Sequence, residues 1–104
     1  YKDAIKCYDK VLEIDPGYGY AWNNKANSLY KLKHYREAIE CAERAIKVTP
    51  DNYAAWDTKG EILLALGKYK EGLECFDKAL KLAPRDMEIK RHKEKALEKV
   101  SGDS

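Results

Sequence analysis

Two carboxylates lie four residues apart near the middle of the sequence, at Asp57 and Glu61. On a helix this spacing places both on one face, because side chains at i and i+4 are neighbours there. A general acid–base pair needs such proximity, and it also needs a closed pocket that perturbs the pKa of a carboxyl group. The chemistry of the pair therefore depends on the elements that carry it.

Metal-ligand chemistry has few candidates in this sequence. The two histidines, His34 and His92, are far apart, and neither has a Cys or carboxylate partner at metal-ligand spacing. Both are predicted to be surface residues, and no metal or cofactor is expected. There is no glycine-rich phosphate loop and no nucleophile elbow, so no catalytic residue is predicted.

Charge and hydropathy exclude several kinds of partner. The 104 residues are enough for one small domain, and 20 Lys and Arg against 18 Asp and Glu give a net charge of +2. This balance does not steer a protein to nucleic acid or to an anionic membrane. No apolar run approaches the roughly 18 residues of a transmembrane helix. The chain opens on Tyr1, in the middle of a repeat and without an initiator Met, and we expect it to be a fragment of a longer protein.

The elements that position these residues repeat along the chain. Trp22 recurs as Trp56, and Pro16 recurs as Pro50 and Pro84, always at a step of 34 residues. A fixed step of this size in a helix-rich sequence indicates a stacked repeat.

The three cysteines, Cys7, Cys41 and Cys75, follow the same step. Equivalent residues of stacked repeats are separated by roughly 8–10 Å, whereas a disulfide needs Cα atoms within about 7 Å. Three semi-buried free thiols are therefore predicted, which fits a reducing, cytoplasmic setting.

Apolar residues at helical spacing predict six helices, which end near Pro16, Lys33, Pro50, Gly67 and Pro84, with Gly67 as a left-handed C-terminal cap. Their predicted bounds are residues 1–14, 19–32, 35–48, 53–66, 69–82 and 87–100. Asp51 or Asn52 is predicted to cap the fourth helix, and Asp86 to cap the sixth. Residues 101–104 are expected to fray.

The repeated residues resemble the tetratricopeptide repeat (TPR), a pair of antiparallel helices with a large residue in the first helix, small residues where the helices touch, an aromatic opening the second helix, and a closing proline. The middle unit matches at Trp22, Ala26, Tyr35, Ala38, Ala45 and Pro50, and the last unit at Trp56, Gly60, Leu63, Gly67, Tyr69, Phe76, Ala79 and Pro84. The opening half-unit matches at Tyr1, Ala4, Tyr8 and Pro16. Ala42 stands where an aromatic is usual and Gly72 where Ala is usual.

This resemblance implies an all-α fold, a right-handed α-solenoid of antiparallel helix pairs (a TPR superhelix). Residues 1–18 would be the second helix of a truncated repeat, 19–52 and 53–86 two full repeats, and 87–100 a C-terminal capping helix. Part of the apolar face of the first helix is expected to stay open, to be covered by a second copy or by upstream sequence.

In this architecture the first helices of the units line a concave groove. The residues predicted to face a partner there are Tyr20, Asn23, Asn24, Asn27, Tyr30, Lys31, Asp57, Thr58 and Glu61, with Ala54, Ala65, Arg91, His92 and Lys95 as further positions. An open groove does not enclose the two carboxylates, which favours a solvated or ligand-facing pair. The three asparagines either bind peptide groups or form a hydrated polar face, and both interpretations stay open.

One subtype of the family binds the C-terminal carboxylates of chaperones through Lys, Asn and Arg from three successive first helices. Asn24 or Asn27 can supply the Asn, but Ala54 and Thr58 stand where the Lys and Arg are needed. The carboxylates of the fourth helix would also repel an acidic tail, so this clamp is not predicted.

The sequence thus predicts a non-enzymatic, cytoplasmic protein–protein interaction module or scaffold that binds a peptide or partner segment in its groove. The acidic fourth helix favours a ligand with Lys or Arg at that end. The alternative is a self-associating assembly element, a homodimer through the helix Tyr1–Ile14. Nucleic-acid and membrane partners are not expected.

Overall fold

The computed structural model describes residues 1–102, which fold into six helices without a strand. The helices are α1 (Lys2–Ile14), α2 (Gly19–Lys31), α3 (Tyr35–Val48), α4 (Tyr53–Ala65), α5 (Tyr69–Leu82) and α6 (Met87–Gly102). The bounds predicted for α3 and α5 are confirmed. The prediction that the chain frays from Ser101 is wrong for Ser101 and Gly102, which are helical, and residues 103–104 lie outside the described part.

The helices stack in two rows. Each helix contacts the next along the chain, and α2 also contacts α4, as α4 contacts α6. Within residues 1–102, α1, α3 and α5 make no such contacts with one another. The first helices of the units therefore form the inner row of a curved stack that measures 45 × 26 × 19 Å. The predicted helical repeat solenoid is confirmed, and no helix among the described residues is long and apolar enough to cross a bilayer.

Both full units turn from their first to their second helix in the same way. Lys33 and Gly67, one repeat step apart, both have positive φ, at 66° and 82°. In each turn the N–H of the next residue donates to a carbonyl near the helix end, from His34 to Leu29 at 2.9 Å and from Lys68 to Leu63 at 2.8 Å. Such a left-handed residue closes a helix by satisfying its last carbonyl groups. The sequence predicted this cap only for Gly67, because lysine has no preference for the left-handed region.

The tryptophans tie each full unit to the proline before it. Trp22 donates its indole N–H to the carbonyl of Pro16 at 2.7 Å, and Trp56 donates to Pro50 at 2.9 Å. Each ring also packs against an apolar cluster that joins its unit to the helix that follows, since the cluster of Trp22 includes Ile62 and that of Trp56 includes Ile89. The repeat pattern did not predict this hydrogen bond.

Side chains cap α4 and α6, as the sequence predicted. Of the two candidates for α4 it is Asn52 whose Oδ1 accepts from the N–H of Ala55, at 3.2 Å. Asp86 accepts from the N–H of Ile89 at 3.0 Å and caps α6. These bonds satisfy donors that the first turn of a helix leaves free, and they fix where α4 and α6 begin.

The outer face of α1 is open in this part of the chain, where α1 contacts only α2. Tyr1, Val11 and Ile14 are exposed, Ile14 to 87%. The three thiols are free, and Cys41 and Cys75 are buried, but Cys7 is exposed. The prediction of three semi-buried thiols is wrong for Cys7, because no described helix packs on its side of α1.

Candidate functional site

An acidic pair and a histidine meet where α4 and α6 touch on the inner row. His92 Nδ1 lies 2.8 Å from Asp57 Oδ1 and 3.8 Å from Glu61 Oε1, and the three side chains are 21%, 14% and 29% exposed. The capped start of α6 brings the imidazole to this place. The prediction that His92 is a surface residue is wrong, because its ring is half-buried against these two carboxylates.

Motif spacing missed this contact because the partners are 35 residues apart. Stacked first helices bring a residue close to one that lies about one repeat step further on. The 34-residue step of the sequence therefore contained the signal, had it been applied to the polar residues as well as to the apolar ones.

The imidazole ring of His92 is held from three sides. Asp57 accepts the hydrogen bond of the ring N–H at Nδ1. The Phe76 ring lies beneath, with centroids 5.7 Å apart and planes tilted by 40°. On the other edge, Nε2 lies 3.9 Å from Oε1 of Glu88, one turn earlier on α6. The hydrogen bond to Asp57 and the contact with Phe76 set the position and orientation of the ring, and Glu88 adds a more distant carboxylate.

The electrostatics of this cluster are set by burial. Burial raises the pKa of Asp57, and the hydrogen bond from His92 opposes that rise without cancelling it. Burial likewise raises the pKa of Glu61, with a smaller lowering by His92 and a further rise from the neighbouring Asp57. His92 therefore offsets only part of the cost of burying the two charged carboxylates. A further cation beside them would be stabilised.

A cavity of about 310 Å³ adjoins the cluster. Its lining comes from α2, α4, α5 and α6, namely Tyr30, Glu61, Leu64, Ala65, Tyr69, His92, Lys95 and Lys99. Burial and the nearby Glu61 raise the pKa of the Tyr30 phenol. The cavity thus has a carboxylate on its α4 wall, ammonium groups on its α6 wall and two tyrosines between them.

The residues predicted to line the groove differ in how accessible they are. The exposed ones are Tyr20, Asn24, Asn27 and Lys31, together with Ala65, Arg91 and Lys95, and the half-buried ones are Tyr30, Ala54, Asp57, Glu61 and His92. Asn23 and Thr58 are buried. Thr58 donates its hydroxyl to the carbonyl of Ala54 at 2.9 Å, within its own helix. These two side chains leave little surface for a partner.

Asp57 and His92 hold the same repeat positions that Asn23 and Thr58 hold one step earlier. The α2–α4 interface therefore has an amide and a hydroxyl where the α4–α6 interface has a carboxylate and an imidazole. The charged cluster is confined to the second interface, next to the capping helix.

Models of one family match most of the chain. They describe the tetratricopeptide repeat and match residues 23–87 and residues 1–18. The chain belongs to the tetratricopeptide repeat family. Comparison with curated protein sequences gave no match.

Solved TPR domains superpose closely on this one. The first TPR of Spaghetti (RPAP3), bound to the HSP90 peptide SRMEEVD, is 25% identical with a TM-score of 0.93, and the match covers 97% of this chain and 80% of that one. The Sgt2 TPR domain from Aspergillus fumigatus is 26% identical with a TM-score of 0.93, covering 97% and 68%. The first TPR domain of human RPAP3, at 24% identity, has a TM-score of 0.95 and covers 98% and 80%. Family and neighbours together support a protein-interaction module as the general function of this TPR domain.

Proposed function

We propose that the inner groove of this TPR domain binds a peptide segment of a partner protein. The observation that carries the proposal is the cavity of about 310 Å³ between the inner helices, which has aromatic, carboxylate and ammonium groups in its walls. Concave sites with a few convergent polar groups are where proteins most often bind ligands.

The accessible residues of α2 provide the contacts for the peptide backbone. Tyr20 is 67% exposed and offers an aromatic surface with a polar end. The amides of Asn24 and Asn27 are exposed, and each has two donors and an acceptor for peptide groups. Asn23 and Thr58, being buried, support the groove and are not proposed as direct contacts.

The charge in the groove indicates what the segment carries. Asp57 is the less exposed carboxylate and is engaged by His92, so Glu61 is the one available to a partner. Lys95 and Lys99 stand on the opposite wall of the same cavity. We therefore propose a segment with a Lys or Arg side chain against Glu61 and a carboxylate of its own against the α6 lysines.

The peptide in the RPAP3 complex, SRMEEVD, contains one Arg, but its acidic end EEVD differs from the ligand proposed here. Ala54 and Thr58 provide no cation in α4, and Glu61 adds a negative charge. A peptide with only acidic residues at its end therefore lacks its main attraction here.

A peptide display library selected on the 104-residue chain tests the proposal, with EEVD, the acidic end of that peptide, synthesised as a comparison ligand. We expect enrichment of segments that contain Lys or Arg, and weaker binding of EEVD than of the selected peptides. Glu61→Gln should weaken the selected peptides, while the matched change Glu43→Gln on the exposed face of α3 should not. Equal binding by both variants, or selection of acidic peptides, would contradict it.

The exposed apolar residues of α1 favour a second candidate, self-association through this helix. Tyr1, Val11 and Ile14 are all exposed. Light scattering across a concentration series should then show a dimer that Ile14→Lys abolishes and that Lys10→Ala does not. A monomer at all concentrations rejects this candidate.

We also propose a cytoplasmic location, because free thiols suit a reducing compartment.

A further inference from the structure

The side chains of Asp57, Glu61 and His92 bring three metal-ligating atoms to one point. These atoms all lie within 4.8 Å of one another. We propose that they form a binding site for a divalent transition-metal ion of the zinc type. The inference does not rest on the groove binding a peptide.

The donor distances suit such an ion. With bonds of about 2.0–2.2 Å in a tetrahedral site, neighbouring donor atoms lie roughly 3.3–3.6 Å apart. The distances from His92 Nδ1 are 2.8 Å to Asp57 Oδ1 and 3.8 Å to Glu61 Oε1, one on each side of this range. We expect rotation of the two carboxylate side chains to bring both distances into this range.

The arrangement of the donors leaves one coordination position free. Asp57 and Glu61 project from one face of α4, and His92 comes from α6. Three protein ligands with the fourth position open are typical of zinc sites that bind a further molecule. Glu61 and His92 both line the cavity, so the open position faces it.

A third carboxylate, that of Glu88, stands behind the imidazole. When a metal takes the place of the proton on Nδ1, the proton of a neutral ring resides on Nε2. That nitrogen lies 3.9 Å from Glu88 Oε1. Histidines that bind metals usually donate their other N–H to a carboxylate or carbonyl, which fixes the tautomer and makes the ligand more basic.

The charges of the cluster call for a cation beyond the histidine. Among residues 1–102, no Lys or Arg forms an ion pair with Asp57, Glu61 or Glu88. A protonated His92 would neutralise only one of these three carboxylates. One imidazole and two carboxylates suit Zn²⁺, Co²⁺ or Mn²⁺, whereas Mg²⁺ prefers an octahedral oxygen site with its own waters.

Titration calorimetry of the chelator-treated chain with Zn²⁺ tests the proposal, with Mg²⁺ as the comparison ion. The titrations use a Cys7→Ser, His34→Gln background, which removes the exposed thiol and the other histidine. We expect one Zn²⁺ per chain. Glu61→Gln and His92→Gln should each weaken Zn²⁺ binding at least about tenfold, whereas Glu88→Gln should weaken it less, because Glu88 is 73% exposed and its Oε1 lies 3.9 Å from Nε2.

Two further measurements keep a folding defect apart from a lost ligand. Glu61→Gln retains the Asp57–His92 hydrogen bond, so its circular dichroism should equal that of the parent. Co²⁺ should give the intense visible absorption of a four-coordinate ion in the parent and not in Glu61→Gln. No saturable Zn²⁺ binding, or Zn²⁺ binding that Glu61→Gln and His92→Gln leave unchanged, would overturn the inference.

Discussion

A Cβ atom added to Gly60 would lie only 2.4 Å from Cε1 of Phe76, so these two residues set how closely α4 and α5 approach. The Phe76 ring is fully buried and cannot move aside into solvent. One repeat step earlier the same positions hold Ala26 and Ala42, which are also fully buried. The two units therefore fill the same contact differently, one with two methyl groups and the other with an aromatic ring against a bare backbone.

Gly60→Ala should destabilise the domain. Overpacking of a filled core costs about 1–3 kcal/mol. The better helix propensity of Ala returns up to about 1 kcal/mol of that. Urea denaturation followed by circular dichroism measures the net loss. Gly72→Ala is the control, because the added Cβ would be less crowded. The atom nearest to it would be the carbonyl oxygen of Gly60, at 3.1 Å. It should cost less than Gly60→Ala, and the reverse order would contradict the packing argument.

Lys33→Gly should stabilise the domain. Lys33 holds the left-handed conformation that Gly67 holds in the next unit, and this region costs a residue with a side chain about 1 kcal/mol. The gain is partly offset by the greater freedom of Gly in the unfolded chain. We expect a rise of about 0.5 kcal/mol in the free energy of unfolding. The reciprocal change, Gly67→Ala, should lower it, and equal signs for the two changes would contradict a shared turn.

His92→Ala should loosen the capping helix. The change leaves the half-buried carboxylate of Asp57 without its hydrogen bond, which costs about 1–3 kcal/mol. Hydrogen exchange should therefore speed up at the amides of α6 more than at those of α2. His34→Ala is the matched control, because His34 is exposed and its substitution should change stability by less than about 0.5 kcal/mol. Uniform acceleration across the chain would show that the contact does not hold α6 specifically.

The sequence predicted the six helices and their stacking as a repeat. The apolar periodicity indicates which face of each helix is buried, and the prolines indicate where helices end. It did not predict the Asp57–His92 contact, since that depends on how two polar side chains meet across 35 residues. Nor did it predict that Lys33 takes the place of a glycine. At Lys33 the geometry of the turn imposes a positive φ, although lysine does not prefer the left-handed region. The apolar pattern thus determines the fold, while the site depends on side-chain positions that only packing fixes.

The cysteines should differ in reactivity. Burial raises the pKa of the Cys75 thiol from its ordinary value of 9.0 to about 11, and nearby Lys59 only partly opposes this. The thiolate is the reactive form, so at pH 8 about one Cys75 in a thousand is ionised. Alkylation by iodoacetamide, followed by mass spectrometry, should modify the exposed Cys7 well before the buried Cys75. Comparable rates for the two thiols in the folded protein would contradict this burial.

The raised pKa of Cys75 also determines whether the free energy of unfolding rises or falls with pH in the alkaline range. Between pH 9 and about 11 the unfolded chain ionises Cys75 while the folded chain keeps its proton, so the folded state binds more protons there. The free energy of unfolding should therefore fall as the pH rises through this range, and Cys75 should have no such effect below it. Cys75→Ala should lose this component of the decline. Cys7→Ala is the control, because the exposed Cys7 thiol is already in solvent. Denaturation series at several pH values compare the slopes, and an equally steep decline in Cys75→Ala would contradict the prediction.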